Sequence, residues 1–265
     1  MTRKITPSLA AIVEELELEK ARLVTRQHLG KLRAKNDTKP ALPHLVRDLK
    51  AQGWIASTGV RGVYEFVPGS RAGRYPSRDP LQPLRAALAD SDTLKAAVAL
   101  GSAVAMLNIA DRGPDRPEVA VAPRSKPPRG LVQRMRVVRY EWRLPTTLID
   151  GLPVHQPATI LVHIAHRPTQ VRSWGAVLEI LPALTEAVTP DALRIELTGR
   201  PKATSTRLAY LIASIAPNLL TTFAPQRSRG LVWFGPRRRS LRYDNEWNVA
   251  DTILPMSPSA GKVLV

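Results

Sequence analysis

The sequence predicts a mixed α+β protein in two domains, and three observations predict it. Two short amphipathic segments between Thr25 and Ala51 run directly into two β-rich segments joined by Gly59-Val60-Arg61-Gly62. A stretch rich in Gly, Pro, Ser and Arg follows at residues 68–80. Beyond it, helical and strand-like runs alternate with no internal repeat. The first observation is the layout of a winged helix-turn-helix domain. The others place a larger mixed α/β C-terminal domain after a linker. The expected division is 1–68 winged domain, 69–80 linker and 81–265 C-terminal domain.

Residues 8–20 form an amphipathic helix, with Leu9, Ile12, Val13 and Leu16 on one face. The next helix starts at Thr25, whose hydroxyl suits an N-cap, and Asn36-Asp37 ends it. Leu29 and Leu32 give it a narrow apolar stripe. After the turn Thr38-Lys39-Pro40, Pro43 sits in the first turn of a third helix, where its missing N–H costs nothing. Leu42, Leu45, Val46 and Leu49 share one side of that helix. His44, Arg47 and Ala51 share the other, with Lys50 beside them, and Gly53 stops it. Residues 54–58 and 63–67 are then the strands of a hairpin, and Arg61 stands at its glycine-flanked tip.

In the second domain the sequence predicts helices over 81–89 and 93–106, the latter small, apolar and buried. A short strand follows at 118–121. Residues 131–142 alternate basic and apolar residues, as a strand with one exposed face does. Helices are expected over 158–166, 174–184, 190–197 and 205–216. A terminal hairpin is expected from 231–234 and 240–243, around an arginine cluster.

The chain has 265 residues, enough for two cores, and a formal net charge of +17. That charge is ordinary for a nucleic-acid binder and extreme for an enzyme of small anions. From Lys20 to Lys50 there are nine Lys/Arg against two Asp, a field that favours a polyanion. With no cysteine, a disulfide scaffold, a Cys-ligated zinc site and a thiol nucleophile are excluded. The N-terminal apolar run is broken by Glu14, Glu15, Glu17 and Glu19, so it does not read as a signal peptide. No apolar run reaches ~18 residues, and a soluble, cytoplasmic protein without membrane contact is expected.

At this level of detail the chain resembles the AbiEi family, the antitoxins of AbiE-type abortive-infection systems. Three features carry the resemblance: DLKAQGWIASTGVRGVYEFVPG, where the third helix runs into Gly-Trp and the hairpin; the segment from DPLQPLRAAL to EVAVA; and the late helices from ILVHIAHRP to TRLAYLIA. Together they span most of residues 8–215. The resemblance implies that the N-terminal domain represses its own operon by binding double-stranded operator DNA at repeated half-sites. It further implies that the C-terminal domain counteracts a nucleotidyltransferase-like toxin in a type IV toxin–antitoxin system, in which stable binding of toxin by antitoxin is not required. No catalytic residue and no cofactor is implied. The DNA-facing residues carried over onto the winged motif are Arg26, Gln27, His44, Arg47, Lys50 and Arg61, with Lys39 in the intervening turn.

Other constellations need weighing. Arg227, Arg229, Arg237, Arg238, Arg239 and Arg242 lie beside Trp233, Phe234 and Tyr243, which makes a second nucleic-acid surface or a solvated hairpin with core aromatics. Arg134, Arg136 and Arg139 are candidates to extend it. His163 and His166, near His155, have helical metal-ligand spacing but no acidic neighbour; no metal is expected. Asp111, Asp115, Glu118 and Lys126 raise an alternative, a metal-dependent nuclease domain, but they lack its compact acid-x-Lys motif. A plain transcriptional regulator is the other alternative. The terminal SAGKVLV lacks the first Gly and the Ser/Thr of a phosphate loop.

Overall fold

The computed structural model describes residues 6–70, 79–223 and 230–258. Most of the expected linker, Arg227, Arg229 and the terminal SAGKVLV lie outside the described residues. The fold is mixed α+β, and the chain divides into two compact units. The first comprises residues 1–96 and 124–137, the second residues 97–123 and 138–265.

The first unit opens with α1 (Pro7–Leu18), β1 (Leu23–Thr25), α2 (Arg26–Lys35), α3 (Leu42–Ala51), β2 (Ile55–Ser57) and β3 (Val63–Phe66). This order of elements is compatible with a winged helix. The three strands form an antiparallel sheet in the order β1-β3-β2, with Thr25 opposite Val63 and Ile55 opposite Phe66. The apolar stripes read from the sequence meet in one core: Ile12, Leu16, Val24, Leu29, Leu45 and Leu49 are all inaccessible to solvent. The sequence reading lacked β1. Its three residues are too few to show alternation, and its third doubles as the α2 cap. Next come α4 (Gln82–Asp90) and α6 (Arg129–Arg134), which pack on each other; α4 also packs on β1 and β3.

A five-stranded sheet has the order β6-β5-β4-β8-β7, from β4 (Ala96–Val98), β5 (Glu118–Val121), β6 (Arg136–Arg139), β7 (Thr147–Ile149) and β8 (Leu152–Val154). The single helix expected over 93–106 is instead β4 followed by α5 (Leu100–Met106). The strand lies between β5 and β8, all three of its residues are buried, and it therefore shows no alternation. The expected strand over 131–142 is likewise α6 and then β6; alternation becomes real only from Val138, which is buried, as is Tyr140, while Arg139 is exposed.

In the second unit α7 (Pro157–His166) packs on α5, α8 (Trp174–Glu186), α9 (Pro190–Leu197) and α10 (Lys202–Ile212), and α11 (Pro217–Phe223) packs on α9 and α10. Eight of the ten α7 residues, Ala158 to Ala165, are buried, so it is the central helix of the unit. The expected terminal hairpin is corrected. β9 (Val232–Phe234) and β10 (Arg242–Asp244) do not pair; β11 (Val249–Asp251) lies between them, parallel to β9 and antiparallel to β10. The hairpin is β10–β11, its turn fixed by the bond from the Trp247 amide to Asp244 Oδ1 at 2.8 Å.

Candidate nucleic-acid interface

The β2–β3 turn of the first unit, which the sequence reading expects to be a wing, is tight and internally bonded. Gly59 and Gly62 have φ of 88° and 84°, values that favour glycine. Thr58 Oγ1 donates to the Val63 carbonyl at 2.9 Å and accepts from the Val60 amide at 3.2 Å. Val60 is buried, which leaves Arg61 as the exposed side chain of the turn. The wing is also stitched to the second helix. Thr25 caps α2 by accepting from the His28 amide at 3.1 Å, and the Arg26 amide donates to the Gly62 carbonyl at 2.7 Å.

These bonds bring Arg26, Gln27 and Arg61 to one groove of about 620 Å³, which Leu42, Tyr64 and Asp90 also line. On α3, His44 and Arg47 are exposed one turn apart, with Lys50 a further turn on, while Leu45 and Leu49 face the core. Lys50 connects this stripe to the wing: its Nζ lies 4.7 Å from the centroid of the Tyr64 ring. Lys39 is exposed in the turn before α3. Arg47 Nε contacts Asp48 Oδ1 at 3.2 Å, an exposed pair with little hold on it.

Not every cation of the segment is available. Lys35 pairs with Glu15 at 2.7 Å, and His28 lies 3.0 Å from Glu19. Glu15 on α1 thus neutralises Lys35 on α2. Arg33 donates to the Thr38 carbonyl at 3.3 Å, closing the turn between α2 and α3.

The late arginines divide in a similar way. Arg242 pairs with buried Asp251 at 3.0 Å and also donates to the Leu254 carbonyl; Arg238 donates to the Thr252 carbonyl at 3.0 Å. Both brace the small sheet, whereas Arg237 and Arg239 are exposed. Arg139 bonds the carbonyls of Ala122 and Pro123, at 3.1 and 3.3 Å. Arg134 lies against Gly59, its Nε 3.0 Å from where a Cβ would stand.

The histidines belong to a buried polar cluster that sequence reasoning missed. Glu196 is fully buried on α9. It accepts from the Tyr140 hydroxyl at 2.9 Å, the amides of Arg143 and Leu144 at 2.9 and 3.2 Å, Thr159 Oγ1 at 3.3 Å and Arg200 at 2.6 Å. His163 stacks on Tyr140 with ring centroids 3.9 Å apart and bonds Gln170 at 2.7 Å; His166 bonds Thr204 at 2.9 Å. His155 packs on Trp142 with both ring nitrogens buried and unbonded. Burial pushes the Tyr140 hydroxyl far above its usual range and His155 down to about 3. The available signal was the Glu196–Arg200 spacing of four on a helix and the turn after it.

The acidic residues weighed for metal chemistry do not converge. Glu118 is buried and accepts from the Gly101 amide at 2.9 Å, while Asp111 and Asp115 are exposed. Among the described residues no three His, Cys, Asp or Glu are placed to hold a metal ion. No helix among them is long and apolar enough to cross a membrane.

Comparison with known proteins agrees with this architecture. Residues 96–214 match the family model described as the AbiEi antitoxin C-terminal domain, so the chain carries a domain of that antitoxin family. The chain is similar to the crystal structure of the RV2827C protein from Mycobacterium tuberculosis, with a TM-score of 0.80 and 24% identity over 96% of this chain and 94% of that one. That likeness is one of fold. No curated protein matches the sequence.

Proposed function

We propose that this chain, with its AbiEi antitoxin domain at residues 96–214, is a DNA-binding antitoxin that represses its own operon. The winged unit binds double-stranded operator DNA, and the C-terminal domain counteracts a nucleotidyltransferase-like toxin. The observation that carries the DNA reading is the convergence of exposed basic and polar side chains on one assembly of wing and helices: Arg26, Gln27 and Arg61 at the groove, and His44, Arg47 and Lys50 along α3. The α3 stripe suits the major groove, with Arg47 and His44 at base edges, and Arg61 suits the neighbouring minor groove. Lys39 and Lys50 contribute phosphate contacts and counterion release. One winged unit reads a short site, so two copies on repeated half-sites supply the specific affinity.

The test is a titration of the full chain on its own upstream DNA and on scrambled DNA, at two salt concentrations, with wild type and Arg47→Ala. Sequence-selective binding that Arg47→Ala weakens supports autorepression. Binding that is equal on both DNAs and only fades with salt removes that reading.

A further inference from the structure

The second unit holds a pocket of about 240 Å³, apart from the residues assigned to DNA above. We propose that it is a binding site for a small amphipathic acid: an unbranched apolar chain of medium length ending in an anionic head. The wall is apolar, with Leu100 and Val104 from α5, Ile160 and Ile164 from α7, and Val177 and Ile180 from α8. It offers almost nothing to read the edge of a base or the hydroxyls of a sugar. At ~30 Å³ for each water-sized group the space suits roughly eight non-hydrogen atoms.

Two cations, Arg112 and Arg172, also line this pocket, and both are exposed. Among the described residues neither is engaged by a carboxylate or a carbonyl. A planar guanidinium with free donors at the edge of an apolar space suits a carboxylate or a phosphate head. The pocket's own carboxylate, Glu118, is committed to the Gly101 amide.

The backbone is also unusual here. Leu100 has φ of 49°, in the left-handed region that a bulky side chain avoids, and its side chain lines the pocket. The strained turn is held on both sides, since the Ala99 amide donates to the Glu118 carbonyl at 3.0 Å and the Gly101 amide to Glu118 Oε2 at 2.9 Å. Strain retained by such bonds is a recurrent feature of ligand sites, where it presets the wall.

Isothermal titration of the full chain with butyrate, hexanoate and octanoate tests this. Affinity is expected to rise roughly fourfold per methylene, as burial of a CH₂ implies, with octanol at least tenfold weaker than octanoate. Octyl phosphate run beside octanoate distinguishes the two kinds of head. Ala176→Phe, which fills the pocket from α8, abolishes binding. Arg112→Ala with Arg172→Ala weakens octanoate at least tenfold without touching the core, so it decides the matter if the Phe variant does not fold. Octanoate heats that do not saturate, octanol binding equal to octanoate, or indifference to both variants would overturn the proposal.

Discussion

The ammonium of Lys50 lies 4.7 Å from the centroid of the Tyr64 ring, so the last turn of α3 is tied to the second strand of the wing. The contact places a cation of the helix and the lining of the groove under one constraint. Lys50→Ala is expected to lower DNA affinity about equally on operator and scrambled DNA, and to reduce the slope of log K against log salt by about 1. Tyr64→Leu keeps the charge and loses its seat, a smaller effect of ~0.5–1 kcal/mol. Fluorescence anisotropy at several salt concentrations separates the two.

Asp90 ends α4 and lines the same groove as Arg26 and Arg61. A carboxylate there repels phosphate, so Asp90→Asn is expected to strengthen DNA binding, most clearly at low salt. Unchanged or weaker binding in the same anisotropy assay would mean that DNA does not enter the groove.

Glu196 and Arg200 form a buried pair, with side chains 0% and 6% exposed. Arg200→Met leaves the carboxylate buried against Tyr140 and two backbone amides, and removal of one partner costs ~3–5 kcal/mol. Adding Glu196→Gln removes the orphaned charge; with its oxygen at the Oε2 position it still accepts from the Arg143 and Leu144 amides, and its NH₂ donates to the Tyr140 hydroxyl oxygen, so the double variant is expected to recover much of the loss. Urea unfolding of wild type, Arg200→Met and the double variant measures it; a double variant no more stable than Arg200→Met contradicts the account.

His155 is pushed down to about 3 by burial, reinforced by His163, and His166 is lowered to about 4, by burial first and then by the charges of Arg200, Arg167 and Arg207. Both are bases that the folded chain keeps neutral and the unfolded chain protonates below about 6.5. Unfolding therefore takes up protons on the acid side. The stability is fully present above pH 6.5 and is lost progressively as pH falls towards the folded values, with a slope for His155 approaching ~1.4 kcal/mol per pH unit. His155→Phe keeps a ring against Trp142 and removes the titration. The gap between denaturation midpoints at pH 7.5 and 5.0 is expected to narrow in that variant, with the His166 share remaining; an acid sensitivity equal to wild type would falsify the assignment.

The parts of the fold legible in the sequence are those that present one face to a core. The α1, α2 and α3 stripes, the glycine-flanked turn and the late helices α7 to α10 follow from periodicity and caps, whereas α11 was not expected. β4 was not legible, because a central strand made of Ala, Ala and Val shows the same apolar run as a buried helix. The neighbours of β9 were not legible either, since strand order depends on a third strand arriving from residues 249–251. For the site, residue types and the exposed side of α3 could be read, but not the Arg26–Gly62 bond that closes the groove. The Tyr140–Glu196 bond joins residues 56 apart and left no local pattern.

The helix α6 returns to the first unit from beyond β5, and a Cβ on Gly130 would stand only 1.9 Å from the carbonyl oxygen of Gly59 in the wing turn. The wing is therefore shaped by a residue made seventy-one positions after it. During synthesis the N-terminal unit remains unfinished until residue 137 has left the ribosome, by which time much of the five-stranded sheet has emerged as well. The timetable of translation thus delays a complete wing, and a gene cut after the hairpin would encode its strands without the helix that seats them.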